Sequence, residues 1–99
     1  MTPASPLSHA TVLHIRPGAL VKRIQQEAVI LVLAENRFLA VTEVGARTLE
    51  LIDGESPLGD ILARLLEEYD VSREQLETDV YDFLAQLIAA NVVEAEGSR

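Results

Sequence analysis

The stretch AVILVLAENRFLAVT, residues 28–42, decides the fold. Ala28 to Leu33 is an unbroken apolar run rich in β-branched residues, which reads as a strand. Glu35-Asn36 supplies a turn, and Arg37-Phe38-Leu39-Ala40-Val41 a returning strand. Just upstream, Leu20, Lys22 and Ile24 alternate with Val21, Arg23 and Gln25, so a further strand precedes the pair across Gln26-Glu27. The result is a three-stranded antiparallel meander. Its second and third strands are apolar on both faces, whereas a sheet with one wet face shows polar residues at every second position. Both faces are therefore expected to be covered.

Beyond Thr42 the apolar period becomes helical. Thr42 is a reasonable N-cap, and Val44, Thr48, Leu49, Leu51 and Ile52 give a short helix closed by Asp53-Gly54. Ser56-Pro57 reads as N-cap and first residue of a second helix, whose stripe Leu58, Ile61, Leu62, Leu65 and Leu66 runs up to Tyr69. A third begins at Ser72, where Gln75 completes a capping box and Val71 can staple onto Leu76. Leu76, Val80, Phe83, Leu84, Leu87 and Ile88 recur at three and four, with Asn91 as its C-cap. The order β-β-β-α-α-α predicts one α+β domain with a winged-helix-like topology, its last two helices forming a helix-turn-helix-like pair. Residues 19–94 make up this domain. Residues 1–18, with Pro3, Pro6 and Pro17-Gly18, read as a mobile arm, and 95–99 as a frayed tail.

Length and composition narrow the function. With 99 residues, 48 % apolar and 24 % charged, the chain has the balance of a single soluble domain. Its formal charge of −8 repels phosphate backbones, and no nucleic-acid partner is expected. The third helix offers Gln75 and Gln86 for base readout but no basic residue from Glu74 to Ala90. No cysteine is present for a disulfide or thiol chemistry. No export signal or membrane-length apolar run appears, so the expected location is cytoplasmic, with no membrane partner.

Catalytic and metal constellations are wanting. His9 and His14 have no neighbouring ligands at metal spacing and read as solvated surface residues. Ser5, Ser8, Ser56 and Ser72 lie outside any nucleophile context, and the five glycines are too scattered to cradle a phosphate. No enzyme activity, metal or cofactor is expected. Between Glu67 and Asp82, seven acidic residues stand against Arg73 alone, a solvated face that could also steer a basic partner.

Three segments carry a resemblance to a known family: Phe38-Leu39-Ala40-Val41-Thr42-Glu43, Ala46 to Gly54 with its Asp-Gly ending, and Asp79-Val80-Tyr81-Asp82-Phe83-Leu84. In order and spacing they resemble the PqqD family of small peptide-binding proteins, also described as RiPP recognition elements, over about Ala19 to Val93. Thr42 departs from the asparagine common there. The resemblance implies a non-catalytic chaperone that binds the leader of a ribosomally made precursor peptide and presents it to a modifying enzyme. The leader would add as a strand beside Phe38, Leu39, Ala40 and Val41, against a wall of Leu76, Asp79, Val80 and Phe83. An edge strand apolar on both faces fits such a guest, since it needs a cover of some kind. A homodimer through the doubly apolar strands is compatible with this, and a winged-helix interaction or transcription-regulator module is the alternative reading.

Overall fold

In a computed structural model that describes residues 7–96, the elements are β1 (Val12–Ile15), β2 (Ala19–Ile24), β3 (Glu27–Val32), β4 (Arg37–Val41), α1 (Glu43–Leu51), α2 (Leu58–Glu68), α3 (Arg73–Ala89) and β5 (Val93–Glu96). Strands β2, β3 and β4 form the expected antiparallel meander, with Leu20 opposite Leu31 and Leu31 opposite Phe38. The β2–β3 hairpin turns at Gln25, held at a positive φ of 57°, and the β3–β4 connection turns at Asn36, with φ 53°. Asparagine tolerates that left-handed conformation better than glutamine does.

One face of the meander carries Ala28, Ile30, Val32 and Val41 into the core, where α1 supplies Ala46 and Leu49. Leu58, Ile61, Leu62 and Leu65 of α2 pack with Leu76, Val80, Leu84 and Leu87 of α3 to complete it. The opposite face departs from expectation. Leu20 is 53 % exposed and Phe38 70 %, and no described element covers them. Among the described residues three α-helices follow the meander, and all of them share a single core on its inner side.

The chain ends are also more ordered than their composition suggests. Residues 7–18, expected within a loose arm, fold onto the domain: β1 pairs antiparallel with β5, and Leu7, Thr11 and Leu13 are buried. Arg16 and His14 reach across this ribbon to Glu94 and Glu96. Ala95 and Glu96, expected in the frayed tail, belong to β5, while residues 1–6 and 97–99 lie outside the described residues. The physical reason is a helix end that needs acceptors. At the start of α2 the Leu58 and Gly59 amides donate to the carbonyls of Thr11, at 2.7 Å, and His9, at 2.9 Å. These two acceptors replace a side-chain cap, so Ser56 is not the N-cap; Pro57 holds that position and the Ser56 hydroxyl donates to Asp53. A Cβ on Gly59 would crowd His9 at 3.1 Å, so this close approach depends on glycine.

The other caps follow the sequence in part. Thr42 accepts from the Gly45 amide and Ser72 from that of Gln75. The Gln75 side chain does not return to the Ser72 amide; it donates to Asp79 one turn on, at 2.9 Å, leaving half a capping box. At the far end of α3 the chain reverses through Asn91, φ 62°, and the Val92 amide bonds back to the Leu87 carbonyl.

Arg47 of α1 grips Glu68 of α2 with two bonds of 2.8 Å, and Arg23 of β2 reaches Glu50 of α1 at 3.2 Å. The Arg47 hydrogen bonds hold the Glu68 carboxyl below its ordinary value of 4.5. The amides of Ser56 and Glu55 hold Asp53 below 3.8 in the same way. Carboxyls with depressed folded-state values contribute stability that is complete above the unfolded values and lost as pH falls through the folded ones.

Two outcomes follow. Leu13→Ala should lower stability in denaturant unfolding by about 2–5 kcal/mol, the cost of a core cavity; a change below about 0.5 kcal/mol, the scale of a surface substitution, would mean β1 is not part of the core. Lowering the pH below 4.5 should destabilise the wild type more steeply than Glu68→Gln, and parallel acid-unfolding curves would deny the Arg47 contact that role.

Candidate functional site

The meander has two free edges, and they differ chemically. Along β2 the backbone is flanked by Lys22 and Arg23, charges of the kind that blunt pairing with another chain. Strand β4 pairs with β3 on one side and with no strand on the other among the described residues, and from Phe38 to Thr42 it carries no charge. Its amides and carbonyls are the open ones.

Beside that edge runs a groove walled by α3. One cavity of about 310 Å³ is lined by Thr42, Gly45 and Thr48 at the start of α1 and by Leu76, Asp79, Val80 and Phe83 of α3, with Val44, Val71 and Gln75 at its margins. A second, of about 190 Å³, lies between Leu39 and Ala40 of β4 and Phe83 and Leu87 of α3 with its capping residue Ala90, and Arg37 and Gln86 also line it. The residues of β4 and α1 meet α3 in reverse order, so the two chains run in opposite directions along the groove.

Local chemistry keeps the wider cavity apolar. The Thr48 hydroxyl is fully buried and donates to the Val44 carbonyl at 2.7 Å, so it offers no unsatisfied group to an occupant. Gly45 is required for shape: a Cβ there would run into the Val41 side chain and sit 3.1 Å from the Phe83 ring. The missing side chain lets Phe83 lie close to α1. Asp79 is the cavity's one charged lining residue, and it accepts from Gln75.

Of the residues expected at the site, the structure brings Leu76, Asp79, Val80 and Phe83 together around the wider cavity, and Leu39, Ala40 and Phe83 around the narrower. Leu76 and Val80 are nearly buried and form floor more than wall. Two side chains do not join. Phe38 lies on the sheet's opposite face and lines neither cavity, and Val41 points into the core, 5 % exposed; Ala40 shares the face of Phe38 by the same alternation and meets the narrower cavity at its rim. What Phe38 and Val41 can contribute to the groove is backbone. The first turn of α1 and the Gln86–Ala90 end of α3 were not anticipated. The lone Gly45 in a helical pattern was the available signal, since such a glycine commonly marks close packing.

The histidines, expected to be solvated, each meet a distant carboxylate: His9 bonds Glu77 at 3.1 Å and His14 bonds Glu96. Among the described residues no group of three or more metal-ligating side chains is placed to hold an ion, and no helix is long and apolar enough to cross a membrane. Charge is segregated. Residues 19–41 hold three basic and two acidic residues, whereas residues 42–96 hold three basic against fourteen acidic. The α3 wall thus faces the groove from the acidic half of the molecule.

Comparison with known proteins converges on one family. A solved structure described as TbiB1 in complex with the TbiA(beta) leader peptide matches with a TM-score of 0.72 and 28 % identity, covering 84 % of this chain and 94 % of that one. A PqqA binding protein of Bradyrhizobium diazoefficiens (strain JCM 10833 / BCRC 13528 / IAM 13628 / NBRC 14792 / USDA 110) is 35 % identical over 69 residues, which is 70 % of this chain and 67 % of the relative. The family model for coenzyme PQQ synthesis protein D (PqqD) matches residues 27–93, from the start of β3 to the start of β5. With the meander, the open β4 edge and the α3 groove all inside or bordering that span, the chain belongs to the PqqD family.

Proposed function

We propose that this chain is a non-catalytic peptide-binding protein. It takes the leader segment of a ribosomally made precursor as an added strand on β4, seats alternate guest side chains against α3, and presents the peptide to a modifying enzyme. The observation that carries the reading is an unpaired strand edge whose Leu39 and Ala40 line a cavity with α3, next to the wider apolar cavity that begins at Thr42. Strand addition uses both: backbone bonds hold any sequence, and pockets for alternate side chains choose among sequences. The relative named for binding PqqA and the TbiB1 complex with a leader peptide support it from outside the chain. Leu39 and Ala40 would act through backbone and rim, Leu76 and Val80 as floor, and Asp79 and Phe83 as wall. We place the encounter in the cytoplasm, where a ribosomally made precursor first appears.

Magnitudes set where affinity arises. Four or five backbone hydrogen bonds contribute about 0.5–1.5 kcal/mol each, and two buried aliphatic anchors about 1.5–3 kcal/mol each. Ordering a flexible guest costs about 2–5 kcal/mol, and the loss of rigid-body freedom comes on top of it. The hydrogen bonds alone hardly cover these costs. Apolar anchors must therefore carry the net affinity.

Calorimetric titration with the precursor encoded beside this protein's own reading frame provides the test. Phe83→Ala should weaken binding by at least about tenfold, the effect of losing one anchor contact, and Asp82→Asn by much less. Equal effects, or no binding by the wild type, would count against the groove.

A further inference from the structure

The groove is not continuous, because Phe83 lines both cavities and stands between them. On α3 the wider compartment extends from Gln75 to Phe83 and the narrower from Phe83 to Ala90. Their midpoints lie seven to eight residues apart, roughly 10–12 Å at the helical rise of about 1.5 Å per residue. An extended guest advances about 3.3 Å per residue and turns only every second side chain toward the groove. Side chains two residues apart would be separated by about 6.6 Å, four apart by about 13 Å and six apart by about 20 Å. Only the four-residue interval matches the compartments.

We propose that Phe83 is the specificity-determining spacer of this site. Its guest is an extended segment with two apolar side chains four residues apart, the bulkier in the wider compartment, and a small residue between them over the Phe83 ring. The proposal rests on the strand-addition reading and narrows it to a class of peptide. Gly45 belongs to the same device, since the Phe83 ring occupies space that any side chain at position 45 would crowd. The compartments also differ in charge: Asp79 lines the wider one and Arg37 the narrower. A basic residue beside the bulkier anchor and an acidic one near the smaller would give the guest a preferred direction, though exposed pairs of this kind contribute little.

Panning a display library of random short peptides on the full chain tests the spacer. Enriched sequences should carry apolar residues at i and i+4 with Gly, Ala or Ser at i+2. A synthetic peptide of that pattern should bind at least about tenfold tighter than one with the same residues rearranged to i and i+2, because the rearranged peptide seats one anchor fewer. Phe83→Ala, which joins the compartments, should cut this ratio to below about threefold, and Phe83→Leu, which preserves apolar volume should the alanine variant fail to fold, should lower it less. An unchanged ratio in both variants overturns the proposal. So do enriched peptides with another spacing, or none, that still shift the amides of residues 37–41, but these leave strand addition standing. Peptides that bind without shifting those amides, or a selection that enriches nothing, overturn both.

Discussion

Among the described residues, no strand pairs with the outer side of β4, and from Phe38 to Val41 that strand carries no charged side chain to keep another chain away. Open strand edges are ordinarily blunted, as β2 is by Lys22 and Arg23. Leaving β4 open invites indiscriminate pairing unless something restricts what can approach. On the proposed reading the restriction is α3, whose residues line the cavities beside the edge and would make an incoming strand place every second side chain in them. Promiscuous hydrogen bonding and selective side-chain burial would thus act on the same guest.

The remainder of the fold holds that edge and that helix at a fixed separation. Leu76, Val80, Leu84 and Leu87 anchor α3 in a core shared with α2. The Arg47–Glu68 pair ties α2 to α1, whose first turn forms the end of the wider cavity. The β1–β5 ribbon closes the far side, and its approach segment satisfies the first amides of α2. A groove preformed in this way would leave the ordering cost of binding to the guest.

Much of this architecture was legible in the sequence, because it depends on local periodicity. The meander, the three helices and the Thr42 and Ser72 caps all come from patterns within a few residues. The β1–β5 pairing was not legible because its partners are about eighty positions apart and each segment is only four residues long. For the same reason the Glu96 partner of His14, itself a part-exposed surface residue, is not visible in the sequence. At the site, the α3 residues were identified through the family resemblance and met again in the geometry. Phe38 and Val41 were grouped with them because a strand's sequence names its residues without saying which face meets the groove. Gly45 was overlooked because its role is the space it leaves empty, which only the neighbouring Val41 and Phe83 reveal. The assumption that both sheet faces must be covered also failed: apolar composition states a tendency to be buried, and Leu20 and Phe38 remain exposed.

The most direct test of an open β4 edge is to look for backbone contacts between guest and strand. Isotope-edited NMR of the bound leader peptide should show cross-strand Hα and amide contacts from the guest backbone to residues 37–41, in a regular ladder. Contacts confined to side chains of α3, or a ladder along β2 instead, would contradict the account.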